Sequence, residues 1–252
     1  MNKIYIKTGL IITIMSVFSQ VYATVNIETQ QNALTTRESL QTLTLGLEVL
    51  TGNSEYNAYN IEYKLNRTRK KLNIITILNR KKKSNDNTKI SESNFGHIRI
   101  QKPIYPHLYI ENFYQYEYDP FKDLESRILV GLGIRKNIKP SAPSQTYRFQ
   151  VGTGIMQETE STTTSKTTDI RSSSYINYAN TFNDKTVKVI TYFQPKISNF
   201  SDFRALAEAS LTNKLYKQIS LVSKIKVNID KNPPIGIKES DLSIHHAITI
   251  NF

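Results

Sequence analysis

The last eleven residues of the chain alternate between apolar and polar side chains, and this pattern constrains the fold more than any other feature. A two-residue period fits a β-strand with one apolar and one polar face. The chain ends on Phe252, in phase with the apolar face. The apolar parity comprises Leu242, Ile244, Ile248, Ile250 and Phe252, and the polar parity comprises Ser243, His245, Thr249 and Asn251.

An alternating strand that closes on a terminal aromatic is typical of the outer-membrane β-barrels of Gram-negative bacteria, so Phe252 is a candidate assembly signal. Such a barrel needs more strands of the same kind, and eleven earlier segments supply them. The predicted fold is therefore all-β: a transmembrane antiparallel up-and-down β-barrel of about twelve strands, within residues 40–252. The predicted strands cover residues 40–49, 58–65, 72–79, 95–101, 107–118, 127–135, 147–155, 170–180, 186–193, 202–212, 219–229 and 242–252.

The connections between the predicted strands differ with strand parity. Long or polar connections follow strands 3, 7, 9 and 11, and they include residues 80–94 and 158–169. The connections after strands 2, 4, 8 and 10 are short, and the one after strand 6 is intermediate. This parity predicts short turns on the periplasmic side, where both termini lie, and longer external loops.

Residues 1–23 are predicted to be a secretory signal peptide. Lys3 and Lys7 precede an apolar stretch, and a cleavage motif ends at Ala23. Residues 24–39 are polar and aperiodic, which indicates a periplasmic tail before the barrel. The expected location is therefore the outer membrane of a Gram-negative bacterium.

The composition excludes several classes of protein. Of the 252 residues, 38% are hydrophobic, and nothing after residue 23 approaches the roughly 18 consecutive apolar residues of a membrane-spanning helix. The composition does not exclude a membrane β-barrel, because only alternate residues of its strands face lipid. Fifteen tyrosines and ten phenylalanines fit aromatic girdles at two membrane interfaces. The absence of cysteine excludes disulfides, thiolate metal sites and cysteine nucleophiles.

The strongly basic balance raises the question of a nucleic-acid partner. The formal charge is +12, and removal of Lys3 and Lys7 with the signal peptide leaves 12 − 2 = +10. No nucleic-acid-binding motif accompanies this charge, so no nucleic-acid partner is predicted. No cofactor and no metal site is predicted either.

The chain resembles the salt- or acid-inducible outer-membrane protein (YdiY-like) family, a domain family without an assigned function. The resemblance covers nearly the whole predicted mature chain in family order, and it implies an outer-membrane barrel without implying catalytic residues. The segments that carry it are LTLGLEVLTGNSEYNAYNIEYKLNRTRKK, FYQYEYDPFKDLESRILVGLGIRKNI, FQVGTGIMQE, TFNDKTVKVITYFQP and ITINF.

Charged side chains on the inward parity of the strands are candidates for lining the lumen. They would form a constriction that selects anionic solutes, or a plug of mutually satisfied ion pairs. The inward glycines of strands 6 and 7 are expected to bend the wall. The candidate lumen residues are Glu48, Glu62, Lys64, Arg127, Arg135, Arg148, Lys224, Lys226 and His245, and the glycines are Gly131, Gly133, Gly152 and Gly154.

One constellation suggests an enzyme. Asp241, Ser243 and His245 share the polar face of the last strand, as in a hydrolase built on a barrel wall. Neighbours on one face lie roughly 6.5–7 Å apart along a strand, beyond the reach a nucleophile and its base require. We therefore predict no enzyme. The leading hypothesis is an outer-membrane envelope barrel that is either a narrow pore or a stress-related structural protein. Two alternatives are an outer-membrane hydrolase that uses His245 and a soluble periplasmic β-protein that binds polyanions.

Four consecutive cations, Arg80, Lys81, Lys82 and Lys83, are predicted to lie in an external loop. Lysine and arginine bind phosphates well, so this run is a candidate contact for lipopolysaccharide, with a solvated loop tip as the alternative. The other expected partners are outer-membrane lipid and, through the C-terminal strand, the barrel-assembly machinery. A monomer is expected.

His246 conflicts with this scheme. It shares the lipid-facing parity with Ile244 and Ile248, near mid-membrane, where a polar side chain is costly. We expect a β-bulge or a shifted register to turn it away from lipid.

Overall fold

A computed structural model describes residues 39–50, 56–69, 71–85, 88–138, 147–234 and 236–251. The predicted signal peptide, nearly all of the predicted tail and Phe252 lie outside these residues. The side chain of Glu48 is likewise outside the description.

Twelve strands and one short 3-10 turn make up the described chain. The 3-10 turn, Pro120–Lys122, connects β5 to β6. The strands are β1 Ser39–Leu50, β2 Tyr56–Arg69, β3 Leu72–Asn85, β4 Thr88–Tyr105, β5 Leu108–Asp119, β6 Leu124–Ile138, β7 Arg148–Ser161, β8 Lys166–Phe182, β9 Lys185–Lys196, β10 Asn199–Tyr216, β11 Ile219–Asp230 and β12 Ser240–Asn251.

These strands form a closed antiparallel barrel in which each strand pairs with its neighbours in sequence, and β12 pairs with β1. The predicted fold class and the count of twelve strands are thus confirmed. We call the end that holds Ser39 and Asn251 the terminal rim, and the opposite end the distal rim. No helix in the described residues is long and apolar enough to cross a membrane.

The predicted segregation of loop lengths is wrong for the connections after β3, β7 and β9, which have only two, four and two residues, whereas the connection after β11, residues 231–239, is long as predicted. The run from Arg80 to Asn94 belongs mostly to β3 and β4, and residues 158–169 form the ends of β7 and β8 around a four-residue turn. Polarity does not end a strand here, because inward positions of a barrel accept polar side chains. The nine-residue connection 139–147 follows β6, whose connection leads to the terminal rim.

The short turns at the terminal rim are present as predicted. Two residues each connect β2 to β3, β4 to β5, β8 to β9 and β10 to β11. A residue with positive φ occupies each turn, as two-residue hairpins require. These residues are Lys71, His107, Asn183 and Lys217.

The two faces of the wall have opposite chemistry. In the described chain, the buried side chains are mostly polar or charged, whereas many large apolar side chains are exposed. On β6, Val130, Leu132 and Ile134 face outward, with exposed fractions of 47–55%. The exposed apolar residues of the other strands include Leu45, Ile61, Leu78, Ile98, Tyr114, Ile155, Ile170, Ile176, Val189, Phe193, Ile225, Leu242, Ile244 and Ile248. Together these residues form the apolar belt.

His246 stays on the outer face, so the expected bulge or register shift is wrong. The register between β11 and β12 runs without interruption and places His246 opposite Ser223. The Nδ1 atom of His246 lies 2.9 Å from the Ser223 Oγ atom. A hydrogen bond to the neighbouring strand thus satisfies one ring nitrogen, without any change of register.

The four glycines of β6 and β7 lie where the wall is most crowded. Gly133 pairs with Gly154, and a Cβ atom on Gly154 would lie 2.3 Å from the carbonyl oxygen of Leu132. The rings of Phe113 and Tyr175 cover Gly131 and Gly152, each about where a Cβ atom would lie. Close approach of backbones and rings therefore requires glycine at these positions.

Candidate functional site in the barrel lumen

Three arginines and five carboxylates form a dense ion-pair network toward the distal rim. Arg204 on β10 donates hydrogen bonds from Nε to Asp230 and from Nη2 to Glu160, each 2.8 Å long, and also from Nη1 to Glu158. The distal network comprises Arg127, Arg171, Arg204, Glu117, Glu158, Glu160, Asp202 and Asp230.

This distal network crosses the lumen. The Nη2 atom of Arg127 on β6 lies 2.6 Å from Glu160 on β7 and 4.0 Å from Asp230 on β11. Arg171 on β8 reaches Asp202 on β10 at 2.8 Å. Because β6 and β11 are five strands apart in a ring of twelve, their ion pair bridges distant parts of the wall.

A second cluster lies closer to the terminal rim and is centred on Glu111. The carboxylate accepts hydrogen bonds from Arg99, Gln101 and Tyr175 at 2.7–3.1 Å. The Nε atom of Arg135 lies 2.7 Å from the carboxylate. The guanidinium groups of Arg99 and Arg135 also lie over the Tyr175 ring, 5.7 and 5.3 Å from its centroid.

Both clusters are sealed from solvent. The side chains of Arg127, Arg135, Arg171 and Arg204 are only 1–4% exposed. Apolar side chains complete the filling, because Tyr192, Leu206 and Ile190 pack against Tyr175. The lumen around these two clusters is therefore a packed interior, as the plug alternative predicted.

The lumen along β2 and β11 is more open and carries cations. Lys64 forms an ion pair of 2.5 Å with Glu62, and both side chains are 18% exposed. Lys224 lies 3.5 Å from Glu208 and is 27% exposed. These lysines are therefore less tightly packed than the arginines of the sealed clusters.

Further cations extend this surface toward both rims. Lys188 on β9 interacts electrostatically with Arg148, Lys64 and Lys224. Lys81 on β3 interacts in the same way with Lys224, Lys226 and Lys122. The cation track therefore runs from the terminal rim to the distal rim, and it comprises Arg148, Lys188, Lys64, Lys224, Lys226, Lys81 and Lys122.

Lys122 ends the track at the distal rim. The 3-10 turn places its Nζ atom 3.5 Å from the Asp119 carboxylate, and its side chain is 14% exposed. Burial lowers the pKa of Lys122 to about 8, against the opposing attraction of Asp119 and Asp241.

The structure places every described lumen candidate on the inward face, although in two different environments. Arg127 and Arg135 belong to the sealed clusters, while Glu62, Lys64, Arg148, Lys224 and His245 lie in the more open half. Lys226 lies next to Lys224 on the inward face of β11 but is only 5% exposed. Sequence reasoning missed many of their partners, including Arg99, Glu111, Glu117, Glu158, Arg171, Lys188, Asp202, Arg204 and Asp230. Most of these residues already lie on the inward parity of predicted strands, and listing every charge of that parity would have found them. Only Glu158 and Asp230 require the strands to be extended into the adjoining polar segments.

The four consecutive cations of β3 point alternately to the outer and the inner face of the barrel. Arg80 points outward, where its Nη2 atom lies 3.0 Å from the Glu92 carboxylate. Lys82 shares this outward parity, whereas Lys81 and Lys83 share the inward one. The run is therefore part of a strand and not a loop, and only two of its cations lie on the outer face.

On the inward face of β12, two residues of the suggested hydrolase lie opposite lysines of β11. Ser243 pairs in register with Lys226, and His245 with Lys224. His245 also lies within electrostatic range of Lys81. In the described part of the chain, no three acidic or histidine side chains converge as a metal site.

A family model described as a protein of unknown function, DUF481, matches residues 43–252. The chain belongs to the DUF481 family. The YdiY-like family is the same family, so the resemblance found in the sequence is confirmed. No curated protein matches the sequence of this DUF481 member.

Several solved barrels align with this DUF481 chain. The NanC porin is 11% identical with a TM-score of 0.49, and the alignment covers 84% of this chain and 97% of NanC. The β domain of the Bordetella autotransporter BrkA is 9% identical with a TM-score of 0.40, covering 85% and 98%. The translocator domain of the autotransporter NalP from Neisseria meningitidis is 9% identical with a TM-score of 0.40, covering 85% and 86%.

Proposed function

We propose that this protein is an outer-membrane β-barrel that conducts small anions through a narrow path along its cation track. The observation that carries the proposal is the division of the lumen. One half is filled by buried ion pairs, while the side chains of Lys64 and Lys224 in the other half are partly exposed.

The apolar belt supports the location in a membrane. Exposed apolar side chains of this size and number would be costly in water, whereas lipid covers them at no such cost. A barrel also leaves nearly all strand hydrogen bonds satisfied inside the bilayer. With the predicted signal peptide, this arrangement supports export to the outer membrane, with the terminal rim in the periplasm and the distal rim outside.

Heat-modifiable gel mobility tests this location. We expect the protein to fractionate with outer membranes and to migrate faster unboiled than boiled. Recovery in the periplasmic fraction would instead support the soluble polyanion-binding alternative.

The cation track supports selectivity for anions. A ring or ladder of positive side chains attracts anions and repels cations, and the surrounding low dielectric strengthens both effects. The partial exposure of Lys64 and Lys224 beside the packed clusters supports a narrow path, so small solutes are the expected cargo.

Planar-bilayer recordings of the refolded protein in a KCl gradient test this function. We expect small conductance steps with a chloride-to-potassium permeability ratio above one. Lys64→Gln and Lys224→Gln should each lower the ratio, whereas Lys136→Gln, on the outer face of β6, should leave it unchanged. Absence of conductance, or equal ratios in all variants, would contradict the proposal.

The outward cations at the distal rim support a contact with lipopolysaccharide. Arg80 and Lys82 lie on the outer face where the apolar belt ends, beside the level expected for lipid phosphates. Replacing both with glutamine should weaken binding of lipopolysaccharide micelles, whereas replacing the inward Lys83 should not. Insertion by the barrel-assembly machinery through Phe252, a monomeric state and the absence of enzyme activity remain predictions.

A further inference from the structure

The seam between β1 and β12 is much shorter than any other strand pairing in the described chain. Four residue pairs join these strands, from Thr42 with Asn251 to Leu45 with Ile248. Every other neighbouring pair of strands shares ten or more. Beyond Leu45 and Ile248, both strands continue toward the distal rim without register partners across the seam.

This open stretch of the seam lies within the apolar belt. β1 continues to Leu50, and β12 begins at Ser240. On β12, Leu242 and Ile244 in this stretch are each 54% exposed on the outer face. Backbone groups at a sheet edge are costly when they face hydrocarbon, and they are tolerated at membrane depth where they line a polar cavity. The unpaired backbone groups of this stretch are therefore tolerated at membrane depth only if they border a polar cavity.

Cations gather directly behind the open stretch. His245 on the inner face of β12 lies within electrostatic range of Lys81, Lys224 and Lys226. Lys81 reaches this point from β3, on the far side of the seam, while the other two lysines lie on the neighbouring strand β11. His246 and Ser223 place polar atoms on the outer face at the same level.

We propose that the distal half of the seam is a lateral portal, through which the phosphate headgroup of a membrane lipid reaches the cation track from the outer leaflet. The opening admits the headgroup, the lysines bind its charge, and the acyl chains remain against the apolar belt. The portal rests on the membrane location given above, but it does not require that the lumen conduct ions.

Tryptophan fluorescence gives a direct test, because the chain contains no tryptophan. Three single-tryptophan variants are placed in vesicles with phosphatidic acid or phosphatidylcholine that is dibrominated on the acyl chain close to the headgroup. The bromines of such a lipid come close to residue 245 only when its headgroup enters the seam. Ile244→Trp, on the outer face, should be quenched by both lipids and so reports insertion. Thr186→Trp, inside the lumen near the terminal rim, should be quenched by neither. His245→Trp should be quenched more strongly by the phosphatidic acid.

A charge variant tests the role of the lysines. A lysine near an anionic lipid contributes roughly 1 kcal/mol, or about five-fold in affinity. Lys224→Gln in the His245→Trp background should therefore raise the amount of brominated phosphatidic acid needed for half-maximal quenching by about five-fold.

A disulfide across the seam tests the opening itself, because the chain contains no cysteine. Continuation of the β1–β12 register would place Leu47 opposite His246. The Leu47→Cys, His246→Cys pair should oxidise more slowly than the paired control Leu43→Cys, Ile250→Cys, since Cα atoms beyond about 7 Å cannot be bridged without movement. Once oxidised, the seam should exclude lipid, and the preferential quenching of His245→Trp should be lost.

Three outcomes would overturn the portal. The first is that His245→Trp is quenched no more than Thr186→Trp. The second is that the two lipids quench His245→Trp equally, and the third is that the two cysteine pairs oxidise at equal rates. A disulfide formed between chains would show instead that a second copy covers the edge. If Ile244→Trp is quenched, the protein is inserted in the membrane. Absence of conductance would then contradict the pore but not the portal, so the two proposals can fail independently.

Discussion

At the scale of single residues, the barrel reverses the usual distribution of polarity, and the charges inside it depend on one another. Arg204 is 3% exposed and contacts the carboxylates of Glu158, Glu160 and Asp230. Each carboxylate would be costly to bury alone, so the network is stable as a set. Removing one member leaves its partners buried and uncompensated.

Arg204→Met should therefore destabilise the barrel strongly. We expect a loss of about 3–5 kcal/mol in the free energy of unfolding, measured by urea titration in vesicles. The exposed pair of Lys231 and Glu239, 2.7 Å apart, provides the control, since Lys231→Met should cost at most about 1 kcal/mol. Equal effects of the two substitutions would show that the lumen network is not sealed.

Gly154→Ala tests the close approach of β6 and β7. Its Cβ atom would lie 2.3 Å from the Leu132 carbonyl oxygen, and this backbone atom cannot move aside. We expect a loss of about 1–3 kcal/mol, as for other overpacked sites. Gly96→Ala is the matched control, because its nearest neighbour would be 3.8 Å away, and a comparable loss there would contradict the steric explanation.

At the scale of elements, alternation in the sequence predicts how many strands form better than where they end. The segment around Ala207 is rich in alanine and leucine, which favour a helix by propensity. It is nevertheless a strand, β10, as its two-residue period predicts. The predicted strand ends are wrong where polar residues follow apolar ones, as in β3 beyond Asn79 and β7 beyond Ile155. The period continues through these residues, because the lumen accepts polar side chains and the strands extend beyond the apolar belt.

The 3-10 turn between β5 and β6 gives the distal rim a pH-dependent element. The pKa of Lys122 is lowered to about 8, so between roughly pH 8 and 10.5 the unfolded chain binds more protons at this lysine than the folded one. Stability from this residue therefore rises with pH across that window, by at most about 3 kcal/mol.

Unfolding of Lys122→Gln and the unsubstituted protein at pH 7 and pH 10 measures this contribution. Relative to the unsubstituted protein, the variant should lose stability on moving from pH 7 to pH 10, because the burial cost it removes is already absent at pH 10. Lys238→Gln, exposed between β11 and β12, should show no such change. The same result for both variants would place Lys122 in solvent.

At the scale of the whole molecule, the ion-pair network could not be predicted from the sequence. Arg127 and Asp230 lie on strands five apart, and their meeting depends on how the whole sheet closes. Alternation predicts that both face inward, but not that their side chains meet across the lumen. The division into a sealed half and a cationic half is therefore a property of the closed barrel.

The apolar belt predicts that a charge on the outer face is costly in proportion to its depth. Leu132→Lys, at the middle of β6, should cost about 2–4 kcal/mol in vesicles, while Ile138→Lys, at the end of β6, should cost about 0–1 kcal/mol. Guanidinium unfolding in vesicles measures both free energies. A barrel that stands in water would tolerate both substitutions equally.

The number of contacts between strands differs around the barrel, and this difference affects how the barrel deforms. Ion pairs and hydrogen bonds cross-link the strands from β4 to β11, whereas β1 meets β12 over only four residue pairs. In the proposed membrane location, we expect a change in the lateral pressure of the bilayer to move the strands from β4 to β11 as one piece and to strain the β1–β12 seam. The barrel is thus built to deform at one place, and amide hydrogen exchange under changing bilayer thickness should rise first at the distal ends of β1 and β12.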